Sequence, residues 1–513
     1  MLDPAVGRSK QGRPRCAGDI QPFMQQQKGN SPLGLRPVLF VVGAFLTILG
    51  VAMLVPAAVD LAGGDPDWVS FFVSGALTVL VGLLLTFANF DRNITLSRHQ
   101  AFLLTVLSWL GVTAFSAMPF HLSRFRMSYT DAFFEAISGL TTTGATVITG
   151  LDLAPPGILL WRSLLHWLGG IGIVVMAISL LPFLRVGGMQ LFKMESSDTG
   201  DKVLGKVSQL GAALVLIYIA LTTLCTVFYL LGGMTLFEAV NHAMSTLSTG
   251  GYSTSDSSIA HFNSHFINWV AIVFMICGGV PFTLFIRMGR GGVRVLFSDL
   301  QVRGFLGFLI LTSVILTVWM MLTGKDDLFD TFSHVMFSVV SVVTTTGFAS
   351  ADYTQWGNLA VASFFALLFV GGCTGSTAGG IKIFRFHIAW KLFVSHIHRL
   401  ISPNAVEVQR YGDRRITEDV AASVLLFFFI YIATVGGITL FLAAVGLDWV
   451  TAISGAATAV GNVGPGLGDI IGPAGNFQPL PDAAKWALSV GMLLGRLEFF
   501  SVLVLLFWRF WRD

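Results

Sequence analysis

Thr344-Thr345-Thr346-Gly347-Phe348 decides how this chain is read. It closes a Phe/Val/Ser-rich run that starts near Asp330. Related segments stand at Thr141-Thr142-Thr143-Gly144-Ala145, Leu247-Ser248-Thr249-Gly250-Gly251 and Gly461-Asn462-Val463-Gly464-Pro465. A single TTTG reads as a helix cap or a polar turn. Four such clusters at matching places between paired apolar spans read as the strands of an ion filter.

The surrounding composition fixes the solvent. The 513 residues are 54% hydrophobic and 12% charged, with a mean hydropathy of +0.75. A soluble chain carries about twice that charged fraction. Apolar runs fall at roughly 37–59, 69–90, 100–120, 157–184, 207–232, 266–287, 302–323, 357–392, 418–446 and 484–509, about ten crossings of helical length. They are too long and too uniformly apolar for barrel strands. An all-α polytopic membrane protein is therefore expected, with the bilayer as its first partner. Residues 1–36 are polar, lack the pattern of a signal peptide and are expected to be disordered. The four cysteines, Cys16, Cys225, Cys277 and Cys373, are scattered, which indicates neither a disulfide framework nor a zinc site.

Basic residues set the orientation. Arg8, Lys10, Arg13, Arg15, Lys28 and Arg36 precede the first span; Arg92 and Arg98, then Arg185, Lys193, Lys202 and Lys206, then Arg287, Arg290, Arg294 and Arg303, then Lys382, Arg385, Lys391, Arg399, Arg410, Arg414 and Arg415 occupy loops of one side. Arg509 and Arg512 follow the last span. The opposite loops hold Asp60, Asp65, Asp67, Asp256, Asp326, Asp327 and Asp448 against Arg124, Arg126 and Lys325. Both termini are expected to be cytoplasmic.

The four clusters end four extracellular connections, about 129–150, 235–256, 327–352 and 447–470, each too short to span and expected to enter as a half-helix and return as extended backbone. Span, re-entrant loop and span then recur four times in one orientation. This predicts four parallel repeats in pseudo-fourfold arrangement around one pore. The expected divisions are two accessory helices at 37–90, repeat one with its cytoplasmic loop at 91–206, repeat two at 207–301, repeat three at 302–416 and repeat four at 417–513.

Backbone carbonyls and Thr hydroxyls can replace the water shell of a cation without trapping it. Glycine suits a strand that needs unusual dihedrals, and the half-helix directs the negative end of its dipole inward. The expected filter residues are Thr142, Thr143, Gly144, Ser248, Thr249, Gly250, Thr345, Thr346, Gly347, Asn462, Val463 and Gly464, with Gly144, Gly250, Gly347 and Gly464 at one level. Glu135 and Glu238 begin half-helices, where they cap amides or concentrate cations at the mouth.

Gly371, Gly372, Gly375, Gly379 and Gly380, with Ser376 and Thr377, crowd the eighth span. Two readings stand: close helix packing of the small-xxx-small kind, and an unwound segment beneath the filter, which is favoured. Arg496 lies inside the last span. It is either paired, for instance with Glu498, or functional. Lys382 reads as a cytoplasmic anchor. The ten His residues form no ligand set, and neither a Walker sequence nor HExxH nor a nucleophile elbow occurs, so no enzyme and no nucleic-acid partner is expected. A secondary transporter coupling its solute to protons or sodium is the alternative; its signature is inverted repeats with midplane acids.

From residue 37 to 513 the chain resembles the TrkH/TrkG branch of the Trk/Ktr/HKT superfamily of potassium transporters. The resemblance rests on TTTGAT at 141–146, GGMQLF at 187–192, STGGYST at 248–254, TTTGF at 344–348, GSTAGGIK at 375–382 and NVGPGLG at 462–468. It implies potassium uptake across a bacterial inner membrane through one pore per subunit, in a homodimer. Gly144 supports potassium over sodium by the same resemblance. It also implies that 371–380 is an intramembrane gate loop, that Arg496 faces the pore below the filter, and that this chain holds no cofactor. A TrkA-type cytoplasmic subunit carrying NAD or ATP/ADP would dock on 185–206, 288–301 and 386–416.

Overall fold

A computed structural model describes residues 34–91, 96–179, 201–324, 327–404, 408–412 and 414–512. Arg92, the GGMQLF segment, most of the 185–206 loop and most of the N-terminal extension lie outside the described residues. Among those described, seven helices are long and apolar enough to cross a membrane: Arg36–Gly63, Trp68–Ala88, His99–Leu122, Pro156–Val174, Gln209–Leu231, Leu300–Leu322 and Glu418–Ala444. Two further apolar stretches are bent pairs, His265–Gly279 with Phe282–Gly289 at 95° and Asp482–Arg496 with Phe500–Leu506 at 113°. The eighth expected span, 357–392, is interrupted. Its helix Asn358–Leu367 is too short to cross, and helix resumes only at Ile383–Ile401.

The first two spans form a hairpin packed backbone to backbone. A Cβ at Gly43 would meet the Gly82 carbonyl, and one at Gly50 the Gly75 carbonyl. Small residues permit this approach where no hydrophobic force drives helices together.

The four re-entrant segments are present as short helices, Tyr129–Leu140, Leu236–Leu247, Leu328–Val343 and Trp449–Gly461. Their starts are written in the sequence. Ser128 accepts from the Asp131 amide, Asp327 from the Phe329 and Asp330 amides, and Asp448 from the Thr451 amide. Thr235 and Glu238 form a reciprocal capping box, which satisfies two amides that the first helical turn leaves free. All four run into the protein centre. Every residue from Val335 to Val343 is buried, as is every residue from Ala132 to Leu140. The long helices around them expose apolar side chains such as Leu231, Leu322, Phe429 and Leu440 on their outer faces. That distribution is the one expected when lipid is the solvent.

The bend in repeat two has a definite cause. Pro281 has no amide hydrogen, and the carbonyls of Gly278 and Gly279 are left without helical partners. They accept instead from the amides of Thr377 and Cys373, while the Phe282 amide donates to the Gly375 carbonyl. The Gly-rich segment is thus docked into the break. A short two-stranded ribbon pairs Arg410–Tyr411 with Arg414–Arg415, with Tyr411 against His387.

Candidate functional site

The four short helices end in the same way. The amides of Thr143, Gly250, Thr346 and Val463 donate to the carbonyls of Ser138, Ser245, Ser341 and Thr458 at 2.8, 2.9, 2.8 and 3.0 Å. The preceding amides of Thr142, Thr249, Thr345 and Asn462 donate to Gly139, Thr246, Val342 and Ala459. This is the Schellman pattern, which requires a left-handed residue just past the helix. That residue is Thr142, Thr249, Thr345 or Asn462, with φ of 53, 53, 58 and 54°. The position suits Gly or Asn, and a β-branched residue there costs about 1–2 kcal/mol. Three threonines occupy it. Asn462 is therefore the conformationally easy member, and the departure of the fourth repeat from TTTG becomes intelligible.

Two residues further on, each strand has a second left-handed residue: Gly144, Gly251, Gly347 and Gly464, with φ of 83, 85, 77 and 106°. The expected alignment of Gly250 with Gly144, Gly347 and Gly464 is corrected by one residue. Gly250 corresponds to Thr143, Thr346 and Val463, because both dihedral and hydrogen-bond positions follow the helix end rather than the first glycine. Ser248 accordingly caps its helix, with its hydroxyl on the Met244 carbonyl.

These glycines close a ring. A Cβ on Gly144 would strike the Gly250 carbonyl oxygen, one on Gly251 the Thr346 oxygen, one on Gly347 the Val463 oxygen, and one on Gly464 the Thr143 oxygen. Strands one to four therefore contact one another in cyclic order through backbone alone. The Thr143 and Thr346 hydroxyls bond those of Thr141 and Thr344, and the Asn462 amide bridges to Thr143 at 3.0 Å, joining repeat four to repeat one. Among the described residues, Thr142 Oγ1 and Asn462 Oδ1 are buried without a hydrogen-bond partner.

The Gly-rich segment lies directly against the helix side of this ring. It is a loop pinched by the Val370–Ile381 bridge, so the helix-packing reading of its glycines is set aside. Its Thr377 hydroxyl reaches the Leu247 carbonyl at 3.1 Å and the Thr249 hydroxyl at 3.2 Å. Its Gly379 amide donates to Thr345 Oγ1 at 2.7 Å. A Cβ at Gly379 would collide with the Gly461 carbonyl and crowd Asn462. The loop thus touches the ends of repeats two, three and four.

Arg496 is 3% exposed. Its Nη1 donates to the Thr377 carbonyl at 2.8 Å, and its Nη2 points to the Gly169 carbonyl at 3.4 Å. The guanidinium ties the loop to the second helix of repeat one. Pairing with Glu498 does not occur: Glu498 binds Arg385 at 2.8 Å, and Arg385 also lies over the Phe427 ring at 3.7 Å. Lys382 is buried, donates to the Ala378 carbonyl and is no surface anchor.

Glu135 is likewise displaced from its expected role. It is fully buried behind the ring and pairs with Arg162 at 2.8 Å. Ser128 supplies the cap at that helix start, accepting from the Asp131 amide. The sequence reading does not single out Arg162 or Lys485, which pairs with Asp131 at 2.5 Å. Their signal was present: each is a lone cation in an otherwise apolar stretch, and such charges need partners. Among the described residues no group of His, Cys, Asp and Glu has the arrangement to hold a metal.

The four inward half-helices closing a backbone ring in a helical membrane protein fit a protein of the cation-transport class. The family profile described as TrkH, cation transport protein, matches residues 69–509. The chain is 46% identical to the Trk system potassium uptake protein TrkI of Halomonas elongata over 478 residues, 93% of this chain and 97% of that one. It is 34% identical to the TrkH protein of Escherichia coli over 484 residues, 93% and 99% of the two chains. The crystal structure of the potassium transporter TrkH from Vibrio parahaemolyticus superposes with a TM-score of 0.86 at 34% identity, covering 94% of this chain and all of that one. The chain belongs to the TrkH family of cation transport proteins, which are transporters and not enzymes.

Proposed function

We propose that this chain takes up potassium through a selective, gated pore on the axis of the four-strand ring. The observation that carries the reading is the cyclic closure of four equivalent turns, each bringing a carbonyl and a left-handed glycine to the same place. Carbonyl rings of this kind exchange for the ion's water shell. The filter is formed by Thr142–Gly144, Thr249–Gly251, Thr345–Gly347 and Asn462–Gly464. The two unpartnered buried oxygens, Thr142 Oγ1 and Asn462 Oδ1, suit a hydrated ion path. The names of the relatives, Trk system potassium uptake proteins, point to potassium as the substrate.

The loop 371–380 acts as the gate and Arg496 as its latch, since the guanidinium holds a loop carbonyl and places positive charge beneath the ring. The chain sits in a bacterial inner membrane with both termini cytoplasmic, as a homodimer. A TrkA-type nucleotide-binding subunit acts from the basic side. Residues 288–301 and 386–416 supply its docking surface within the described part.

Ion flux through the purified protein in liposomes tests the function. A potassium gradient alone is expected to drive rubidium or potassium flux. A strict requirement for a proton or sodium gradient would replace the pore by a coupled transporter.

A further inference from the structure

The four strands rise from the ring past the short helix of their own repeat, and in repeats one and two one helix side chain bonds the strand. Counted from the ring glycine, the equivalent helix positions are Glu135, His242, Ser338 and Gly455, and the equivalent strand positions Thr146, Ser253, Ala349 and Gly466. The braces differ sharply. In repeat one Glu135 accepts from the Thr146 hydroxyl at 3.1 Å and the Val147 amide at 2.9 Å. In repeat two His242 Nε2 bonds the Ser253 hydroxyl at 3.0 Å. In repeats three and four this side-chain pairing is missing among the described residues. Nearby serines substitute, Ser341 donating to the Phe348 carbonyl and Ser454 accepting from the Leu467 amide.

Arg162 joins the first two braces. Its Nε donates to Glu135 at 2.8 Å, its Nη2 to the Thr146 hydroxyl at 3.1 Å, and its Nη1 to the Ser253 carbonyl at 2.9 Å. The guanidinium lies 4.0 Å over the Tyr252 ring, and the Tyr252 hydroxyl returns to the Glu135 carbonyl at 2.8 Å. Strands one and two are thereby held as one ionic unit, while three and four, among the described residues, have no such ion pair and bond their helices through Ser341, Ser454 and the contact of His334 with the Ser350 hydroxyl at 3.1 Å. Both charges are fully buried, with side-chain exposures of 1% and 0%.

We propose that Glu135 and Arg162 are positioning residues for ion selection, fixing the outer ends of strands one and two so that the carbonyls below keep a size suited to potassium. The inference rests on the potassium-pore reading. Burying a pair of charges is seldom a source of stability, and a fixed geometry is the better-attested return. Planar Arg suits the task because its fork can hold three oxygens at once.

The test is the potassium-to-sodium permeability ratio of the full-length protein in liposomes, from bi-ionic reversal potentials. Thr146→Val removes a brace and leaves the ion pair; losing one buried hydrogen bond is expected to lower the ratio about fivefold. Thr146→Ser restores the hydroxyl and is expected to restore the ratio. Glu135→Gln is expected to lower it further, and where that variant does not fold Thr146→Val decides. Ser338→Ala in repeat three, whose hydroxyl is without a partner, is expected to leave it unchanged. A selective wild type with an unmoved ratio in Thr146→Val, or an equal fall in Ser338→Ala, overturns the inference alone. A wild type without potassium preference overturns the pore reading and this inference together.

Discussion

Replacing Arg496 by Met removes the proposed latch while keeping the volume of its stem. In the structure the guanidinium donates one good hydrogen bond, 2.8 Å to the Thr377 carbonyl, and one long contact of 3.4 Å to Gly169. A hydrogen bond to a charged donor contributes about 1.5–3 kcal/mol. If it holds the loop in the blocked position, its loss shifts the open population roughly tenfold to a hundredfold. The positive charge under the ring disappears in the same step, which acts in the same direction. Arg496→Lys keeps the charge but not the fork, and its flux is expected to fall between wild type and Met. The assay is rubidium uptake into liposomes at equal protein and fixed potassium gradient. Flux that stays level or declines in Arg496→Met, with selectivity intact, would refute the latch.

Two further outcomes follow from the same geometry. Gly347→Ser places a side chain at φ 77° against the Val463 carbonyl and Pro465; the left-handed cost alone is about 1–2 kcal/mol, so the potassium-to-sodium ratio is expected to fall about tenfold, measured by reversal potential. Asp448, capping the fourth short helix, is held below the usual carboxylate range by the Thr451 hydroxyl and amide. Because its folded value is depressed, the stability it adds is present above the ordinary carboxylate pKa and is lost as pH falls through the lowered one. Asp448→Ala is expected to cost about 0.5–2 kcal/mol near neutral pH and less in acid, read from thermal unfolding in detergent across that range.

Much of this was legible in the sequence because membrane solvation makes apolar length and Lys/Arg placement direct signals. Among the described residues the ten apolar stretches recur as seven helices long enough to cross a membrane, two bent pairs and one stretch interrupted by the Gly-rich loop. The short helices were legible as apolar segments too short to span; the capping roles of Asp448, Asp327 and Thr235 emerge only from the structure. What escaped reading was non-local or conformational. A run of threonines carries no mark that its second member will be left-handed, so the strand of repeat two was aligned on Gly250 when the helix end sets Gly251. The pairings of Arg162 with Glu135 and Arg385 with Glu498 join residues far apart in the chain. Glu498 therefore looked like a partner for its neighbour Arg496, whereas the sharp turn at Glu498 and Phe499, with φ of 55 and 51°, carries it away.

The central claim is that the ion passes between the carbonyls of Thr143, Gly250, Thr346 and Val463. Crystals grown in rubidium or thallium, with anomalous scattering collected at the ion's absorption edge, test it most directly. The account predicts anomalous peaks on the axis of these four carbonyls, lost when sodium replaces the larger ion. Peaks confined to other parts of the protein, with none on that axis, would contradict it.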